Sequence, residues 1–306
     1  MAHDAKLALG PILFNWPAQE KRDFFFRIAD EAPVDTVHLG EVVCSKRAPF
    51  FAPYAPQVAE RLRRAGKEVV CSSLALVMTE REREDMRALA AAADPLIEAN
   101  ELGCAALLAG RPHAIGPYVN VYNEGTLRYF VRRGAVRVAL PFELPAASIE
   151  VLAAATEHVA LEVQVFGRTP LAISARCYHA RAHGLHKNNC QYVCEADRDG
   201  MALRTLEGAP FLAVNGTQTL SYTLGNLVGE LDRLVDIGIR RFRLSPHRLD
   251  MVAVAEVFRA VLDRRCDADE AIRRLSRLAA FAPFANGFYH GVAGCTLVPP
   301  GTAHAE

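Results

Sequence analysis

Short apolar runs alternate with longer amphipathic stretches along most of the chain. Apolar runs bounded by Gly, Pro, Asn or Asp indicate buried strands, and apolar residues spaced three and four apart indicate helices. The predicted strands are 6–14, 34–39, 69–76, 96–98, 105–108, 115–121, 136–140, 161–166, 211–214 and 239–244. The predicted helices are 19–32, 53–66, 80–93, 124–133, 146–158, 224–235 and 249–262.

Strands that alternate with helices predict βαβ units and a parallel sheet. About eight such steps favour a closed (β/α)8 TIM-like barrel over an open sheet. The 306 residues suit one such barrel, so we expect a single domain over 1–306, with a loosely structured tail from about 264 to 306. No Gly-x-Gly-x-x-Gly follows the first strand and no Gly-x-x-x-x-Gly-Lys-Ser/Thr loop occurs, which removes the main signals of nucleotide-binding folds.

Composition excludes some partners. Lys plus Arg equals Asp plus Glu at 35 each, so no overall charge draws the chain to nucleic acid or to a membrane. The N-terminus lacks a secretory signal, and no apolar run is long enough to span a bilayer. We therefore expect a cytoplasmic protein without a transmembrane segment. In a reducing compartment, eight cysteines favour metal or redox chemistry over disulfides.

Three cysteines fall within one polar, loop-like stretch, Cys177, Cys190 and Cys194. Thiolates are soft ligands that suit zinc or iron–sulfur clusters, and such sites normally need four ligands. We assign the fourth to Cys44, because its loop is expected to leave the same barrel face. The alternative is that all are ordinary buried thiols. We interpret Cys71 and Cys104 as core residues, whereas Cys266 and Cys295 lie near the tail and have no thiol partner nearby in the sequence. None of these four is expected to be a ligand.

A zinc site remains open as a second hypothesis, because His179, His183 and His186 could each replace a cysteine. The two close Cys-x-x-Cys pairs of structural zinc sites are absent, as are Gly-x-Ser-x-Gly and His-Glu-x-x-His. A zinc-dependent hydrolase or peptidase is therefore the less favoured function.

Polar residues follow many of the predicted strands, at the barrel face where active sites form. Asn120, Glu143, Gln218 and Arg243 are the predicted substrate-binding residues for a small polar or anionic molecule. Arg243 could bind a carboxylate through two parallel hydrogen bonds. The sequence indicates no particular catalytic residue.

Seven segments resemble the collagenase-like U-type peptidase superfamily, and the match runs nearly end to end. They are residues 7–17, 38–47, 73–77, 170–177, 214–219, 226–231 and 243–246. The spacing of the cysteines is the most specific part of the match. Within the superfamily, the chain resembles a branch in which one early and three clustered cysteines bind a 4Fe-4S cluster. The resemblance assigns those roles to Cys44, Cys177, Cys190 and Cys194.

The resemblance also implies a function. The branch acts in oxygen-independent hydroxylation of the aromatic ring during ubiquinone biosynthesis, with prephenate as the implied hydroxyl donor. It implies a heterodimer with a homologous subunit and an accessory lipid-binding protein. A non-catalytic electron-transfer or scaffold subunit would need the same cluster, so the sequence leaves that alternative open. Tailoring of RNA, which some relatives perform, is disfavoured by the neutral charge balance.

Overall fold

A computed structural model describes residues 4–156 and 158–299. Within these residues, eight parallel strands close into a barrel with helices around it. The barrel strands are β1 (Lys6–Leu9), β2 (Thr36–Leu39), β3 (Glu68–Ser72), β4 (Leu96–Ala99), β5 (His113–Ile115), β6 (Ala135–Ala139), β7 (Ala160–Ile173) and β11 (Arg241–Leu244). Strand β11 pairs with both β1 and β7, which closes the sheet on itself. The predicted closed parallel barrel is confirmed.

The helices cover the outside of this barrel. They are α1 (Ala18–Glu31), α2 (Ala48–Phe51), α3 (Ala55–Arg64), α4 (Glu80–Ala91), α5 (Leu102–Leu107), α6 (Glu124–Arg132), α7 (Ala146–Ala154), α8 (Tyr178–Ala182), α9 (Leu231–Asp236), α10 (Met251–Leu262) and α11 (Ala268–Leu278). Side-chain caps at the N-terminus begin several of these helices. Thr79 and Glu82 form a reciprocal capping box at α4, and Asn123 caps α6 through its side chain. None of the described helices has both the length and the apolarity needed to cross a membrane.

The barrel interior is unusually polar. Leu7 and Leu9 of β1 are fully buried in the apolar core, as are Ile28 of α1 and Phe258 of α10. Charged side chains of β2, β4, β7 and β11 instead meet one another across the barrel. Small residues leave room for them: a Cβ on Gly10 would lie 3.2 Å from the side chain of Arg243.

An antiparallel excursion departs from the end of the barrel. The C-terminal half of β7 continues past the barrel and pairs with β10 (Gln218–Asn226), which pairs with β9 (Pro210–Asn215). Beyond β9 lies β8 (Met201–Arg204), and β12 (Phe284–Ala285) pairs with Leu224 and Gly225 near the C-terminal end of β10. The segment between β7 and β8 contains the three clustered cysteines. The long β7 therefore holds the cysteine loop at the C-terminal end of the barrel strands.

Several predicted elements differ from the structure. The start of the predicted helix 224–235 belongs to strand β10, since its residues pair with β7. The helical part is a 3-10 turn at Val228–Glu230 followed by α9. The predicted strand 105–108 falls mostly within helix α5, whose first amides are capped by the Glu101 carboxylate. The predicted strand 115–121 ends early, because Pro117 begins a 3-10 turn.

The segment from residue 264 to the C-terminus, expected to be loosely structured, contains helix α11. Asp267 caps this helix through its side chain, and Ala271 and Leu275 are fully buried. Farther along, the Asn286 side chain exchanges two hydrogen bonds with the backbone of Val298. Part of the predicted tail, residues 300–306, lies outside the described residues.

Candidate functional site

The four predicted ligand cysteines line one small cavity. Cys44 precedes the 3-10 turn Ser45–Arg47 after β2, and Cys177 is the N-cap residue of α8. Cys190 and Cys194 come from the loop that follows α8, and all four border a space of about 20 Å³. We call this space the cysteine cavity. The remaining cysteines do not border it: Cys104 is buried in α5, Cys71 lines a different cavity, and Cys266 and Cys295 lie near the C-terminal segment.

A left-handed turn sets the relation between Cys190 and Cys194. Gln191 and Tyr192 have φ of 48° and 54°, in the region that residues other than Gly rarely occupy. The i, i+4 spacing of these two cysteines would suit a single helical turn, but the left-handed pair separates two 3-10 turns, Lys187–Asn189 and Val193–Glu195. The Tyr192 ring packs edge-on against Phe50 at 4.9 Å between ring centroids, which ties the turn to α2. Strained backbone of this kind is concentrated at functional sites.

The cavity wall contains more positive than negative charge. Arg47 is buried and donates hydrogen bonds to the Leu13 carbonyl at 2.8 Å and to Asn215 Oδ1 at 3.0 Å. Its Nε has no hydrogen-bond partner among the described residues. Lys46 and Lys187 line the cavity as well, and no carboxylate of the described residues does. Lys21 does not line the cavity but is also buried, and the only carboxylate within 4.0 Å of Lys21 and Arg47, counting described residues, is Glu41.

The pKa values reflect the burial of these charges and their closeness to one another. Burial lowers the pKa of Lys21, with only partial compensation from Glu41. For Arg47, burial acts to lower the pKa, but the charges of Glu41, Cys194 and Cys44 outweigh it, and the pKa is raised. Burial also raises the pKa of the Cys44 and Cys177 thiols. The cavity is therefore lined by one buried cation, Arg47, and by thiols that become anionic only as thiolates.

Two further contacts hold the cysteines in position. Glu41 Oε1 accepts hydrogen bonds from the backbone amides of Val43 and Cys44, both at 3.1 Å. The amide of Ala180 donates to Cys177 Sγ at 3.4 Å. Amide hydrogen bonds to sulfur are among the features that tune iron–sulfur clusters.

Among the three predicted alternative ligands, only His179 borders the cysteine cavity. Its Nε2 lies 2.9 Å from Asp197 Oδ2, and its ring stacks on that of His183. His186 lines a different, open cavity. Within the described residues, no three of the four cysteine sulfur atoms lie within 4.8 Å of one another. A single zinc ion with bonds of about 2.3 Å needs its sulfur ligands about 3.8 Å apart.

A second polar site lies in the barrel interior. His38, Ser72, Glu98, Glu162 and Arg243 form what we call the charge cluster, and all are buried. Arg243 donates from Nε to Glu162 and from Nη2 to Glu98. Ser72 donates to Glu98 at 2.9 Å. His38 Nδ1 lies 3.3 Å from Ser72 Oγ and 3.5 Å from Glu98 Oε2.

Charge pairing dominates the electrostatics of the charge cluster. Burial acts to raise the pKa of Glu98 and Glu162, but Arg243 and His38 lower both pKa values below the usual range. Conversely, burial acts to lower the pKa of Arg243, but the two carboxylates raise it. Ligand atoms of His38, Glu98 and Glu162 lie within 4.8 Å of one another, a spacing that could hold a metal ion. A cation there would have to displace the Arg243 guanidinium.

The four predicted substrate-binding residues separate into two environments. Arg243 is engaged by the charge cluster, and Gln218 is fully buried and donates to the Tyr118 hydroxyl at 2.8 Å. Glu143, by contrast, accepts a hydrogen bond from Tyr122 in an exposed position, and Asn120 is exposed with a left-handed φ of 62°. The structure therefore places only Gln218 and Arg243 inside the barrel mouth.

A chain of hydrogen bonds leads inward from the cysteine cavity. Arg47 donates to Asn215, whose Nδ2 donates to Gln218 Oε1 at 3.2 Å, and Gln218 donates to Tyr118. Burial raises the pKa of Tyr118, and Arg243 is close enough to lower it in part. A buried polar path thus joins the cysteine cavity to the region of the charge cluster.

Three members of the charge cluster, His38, Ser72 and Glu162, were not predicted from the sequence. A signal was present, because His38 and Glu162 are titratable residues within runs that were predicted as buried strands. Such a residue must face either the helices or the barrel interior. A buried titratable side chain at that position needs a partner across the barrel.

Fold and site together define a closed (β/α)8-barrel protein with a cysteine-lined cavity at the end of the strands. The family model of Peptidase family U32 matches residues 25–298, and the chain belongs to that family. This confirms the superfamily resemblance found in the sequence.

Solved structures with similarity to the chain include two that are named as enzymes. Tryptophan synthase from Pyrococcus furiosus aligns with a TM-score of 0.40 and 10% identity, covering 90% of this chain and 99% of that one. A putative fructose-1,6-biphosphate aldolase from Coccidioides immitis aligns with the same TM-score and identity, covering 90% and 87%. At these low scores the alignments carry no argument about the function of the chain.

Proposed function

We propose that the chain is the 4Fe-4S subunit of an oxygen-independent ring hydroxylation system in ubiquinone biosynthesis. Within the superfamily, the segments described above resemble the protein UbiV. The proposal includes a heterodimer with a UbiU-like homologous subunit and an association with a UbiT-like lipid-binding protein. Prephenate would be the hydroxyl donor.

The observation that carries the cluster assignment is the convergence of four cysteines beside an excess of buried positive charge. A 4Fe-4S cluster with four thiolate ligands is anionic overall. Lys21 and Arg47 would neutralise part of that charge, and the unpartnered Nε of Arg47 would gain an acceptor. Without an anionic occupant, the second buried cation has no carboxylate of its own, which is costly in a protein interior.

When bound, the cluster would supply one-electron chemistry. The residues of the chain would hold and tune it: four thiolates as ligands, the Ala180 amide as a hydrogen-bond donor to sulfur, and Glu41 as the brace of the Cys44 loop. The cysteine cavity is small, about 20 Å³, so binding would move the loop between Cys177 and Cys194 outward. Metal binding and local folding are commonly linked in this way.

The test is anaerobic purification followed by assays of iron, sulfide and zinc per chain. We expect about four iron and four sulfide per chain and a broad absorption band in the visible blue. Replacing Cys44, Cys177, Cys190 or Cys194 by Ala should each lower iron strongly. The matched controls are Cys71→Ser, Cys104→Ser, Cys266→Ser and Cys295→Ser, which should keep full iron.

The possible outcomes separate the competing hypotheses. Stoichiometric zinc without sulfide would support the zinc-dependent hydrolase instead. Full iron in Cys44→Ala would show that the fourth ligand is another residue. Copurification with the UbiU-like subunit, and quinone production by that pair without oxygen, test the hydroxylase role against a scaffold role. A chain that works alone in a strain without such a homologue would contradict the heterodimer.

A further inference from the structure

A larger, open cavity shares part of its wall with the cysteine cavity. It measures about 540 Å³, and its lining comes entirely from the segment 175–187 after β7. Cys177 and Lys187 line both spaces, so one predicted ligand residue borders the cysteine cavity and also the open space outside it. Arg176 and Arg181 also line the open cavity, and no carboxylate of the described residues does. We call Arg176, Arg181 and Lys187 the basic surface.

The charge of the basic surface is not balanced by its surroundings. Residues 163–194 contain four Lys or Arg and no Asp or Glu, although the whole chain has 35 of each kind. Counting described residues, no carboxylate forms an ion pair with the three side chains of the basic surface. Of the two carboxylates that follow the segment, Glu195 is exposed, and Asp197 lies 2.9 Å from His179. The basic surface therefore presents unpaired positive charge beside the cysteine cavity.

An exposed aromatic ring accompanies this charge. Tyr178 directly follows Cys177, is the first residue of α8 and is 45% exposed. The guanidinium carbon of Arg181 lies 6.0 Å from the centroid of its ring, a cation–π contact. Tyr and Arg are enriched among the residues that contribute most to binding between proteins. An exposed Tyr–Arg pair therefore favours a protein partner over a small ion.

The basic surface is tied to the loop after β2. Lys46 donates a hydrogen bond to the Lys187 carbonyl, and both lysines line the cysteine cavity. Cys44 precedes Lys46 by two residues, and Cys190 follows Lys187 by three. A protein docked on the basic surface would thus touch Cys177 and stand over residues that also border the proposed cluster.

From this geometry we propose that the basic surface docks a one-electron carrier protein with an acidic surface, which exchanges electrons with the cluster at Cys177. The inference rests on the proposed function, which assigns the cluster but no carrier. In each exchange one electron leaves the reduced partner and reaches the oxidised one, so no bond changes and no proton is transferred. Electron-transfer complexes bury little surface, and complementary charge brings their partners together. Exposed positive charge beside a redox centre suits such brief docking.

The probe is flavodoxin, an acidic flavoprotein that carries single electrons. The full-length chain is purified anaerobically with its cluster and with any subunit that copurifies. Reduced flavodoxin is mixed with the oxidised cluster, and oxidised flavodoxin with the reduced cluster, so that one mixture reacts whatever the two potentials are. Stopped-flow absorption measures the second-order rate constant. We expect it to fall about tenfold or more between about 0.02 M and about 0.2 M ionic strength, because salt screens the attraction.

Charge reversal tests whether the basic surface is the docking site. Arg176→Glu/Arg181→Glu should lower the rate constant about tenfold or more at low ionic strength and flatten its salt dependence. Arg176→Gln/Arg181→Gln should have a smaller effect in the same direction, because it removes charge without reversing it. Fluorescence anisotropy of labelled flavodoxin should show the same order of affinities. Iron and sulfide per chain, with circular dichroism, should match the wild type in both variants.

The matched control reverses two arginines outside the basic surface. Arg128 and Arg132 are exposed on α6 and line neither cavity. Arg128→Glu/Arg132→Glu changes the net charge as much as the test variant does, so it isolates the effect of position. Its rate constant should stay within about twofold of the wild type. Cytochrome c, a basic one-electron carrier, should bind the wild type more weakly than flavodoxin does.

Four results would overturn the proposal. They are a rate constant independent of salt, equal slowing by the control variant, loss of the copurifying homologous subunit on charge reversal, and RNA that copurifies with the wild type but not with the charge-reversal variant. The third would assign the basic surface to the subunit interface, and the fourth to nucleic acid. A cluster that is present but exchanges electrons independently of salt would leave the proposed function intact. A chain without iron and sulfide would contradict the proposed function and, with it, this inference.

Discussion

The charge cluster and the cysteine cavity are both buried and both contain an arginine, but their charges balance differently. In the charge cluster, Arg243 lies between Glu98 and Glu162, and each carboxylate lies close to the guanidinium. At the cysteine cavity, the lining residue Arg47 shares one carboxylate, Glu41, with the buried Lys21. In the charge cluster, side chains of the chain itself supply the partner of each charge, so no ligand is needed to neutralise it. A cavity with excess cations is best explained by an anionic occupant.

The largest effect is expected from breaking the charge cluster. Arg243→Met leaves two buried carboxylates without their main cation and should cost about 3–5 kcal/mol of unfolding free energy at pH 7. Urea unfolding measures the loss. The matched control is Arg241→Met on the same strand, whose partner Glu68 is 40% exposed and which should cost about 1 kcal/mol or less.

The pH dependence gives this prediction a sign. In the native protein, the lowered pKa values of Glu98 and Glu162 stabilise the fold fully above their usual pKa of 4.5, and that contribution is lost only as pH falls through the lowered values. It is therefore constant between pH 7 and pH 5. In Arg243→Met, burial raises these pKa values instead, so stability is lost as pH rises through them. The variant should gain stability relative to wild type from pH 7 to pH 5. If the unfolding free energies of the variant and the wild type changed in parallel with pH, the buried carboxylates would not be the cause of the destabilisation.

A smaller effect, on the reduction potential of the proposed cluster, is expected from removing the positive charge of Arg47. In the iron-loaded protein, Arg47→Met should make the reduction potential of the cluster more negative, because an anionic group loses a buried positive neighbour. The expected change is on the order of 1–2 kcal/mol, equivalent to several tens of millivolts. Redox titration followed by electron paramagnetic resonance measures it. Arg47→Lys keeps the charge, so its potential should change less. An equal shift in both variants would mean that hydrogen bonding, rather than charge, sets the potential.

The smallest effect is expected from the contact between Arg47 and a glycine that packs against it, about 1 kcal/mol once the backbone strain measured in a control is subtracted. Gly216 has φ of 64°, and a Cβ there would lie 2.7 Å from Arg47 Nη2. Gly216→Ala should cost about 1–2 kcal/mol through backbone strain, plus about 1 kcal/mol for the contact. Gly208→Ala is the control, since Gly208 also has positive φ but open space around it. Equal losses in the two variants would mean that Arg47 moves aside freely.

The barrel could be predicted because its signal is local. Each of the strands β1–β3 is an apolar run next to an amphipathic helix, and parallel pairing follows from that alternation. Strand β10 was missed in part because it is antiparallel to β7 and only half-buried, so its residues resemble the start of the helix that follows. Its partner lies far away in the chain, and no local pattern encodes that pairing.

In the candidate site, too, only the features encoded by nearby residues could be predicted from the sequence. The clustering of Cys177, Cys190 and Cys194 is visible in the sequence, and the fold brings Cys44 to the same cavity. For Arg243, the sequence indicated a polar residue at a strand end and a bound carboxylate. In the structure, the carboxylates belong to the chain itself, from β4 and β7. Which residues meet across a barrel depends on register and tilt, and those are set by the whole sheet.

The position of Cys44 has a consequence for how the chain folds. Strands β3 to β7 all lie between Cys44 and Cys177, so the cysteine cavity can form only after most of the barrel has been synthesised and has folded. A group bound by all four cysteines would close that long loop, and it would restrict the unfolded chain as a cross-link does. Iron loading would then be a late step of maturation. Its loss would release the β2 loop from the excursion while the strands of the barrel remain paired.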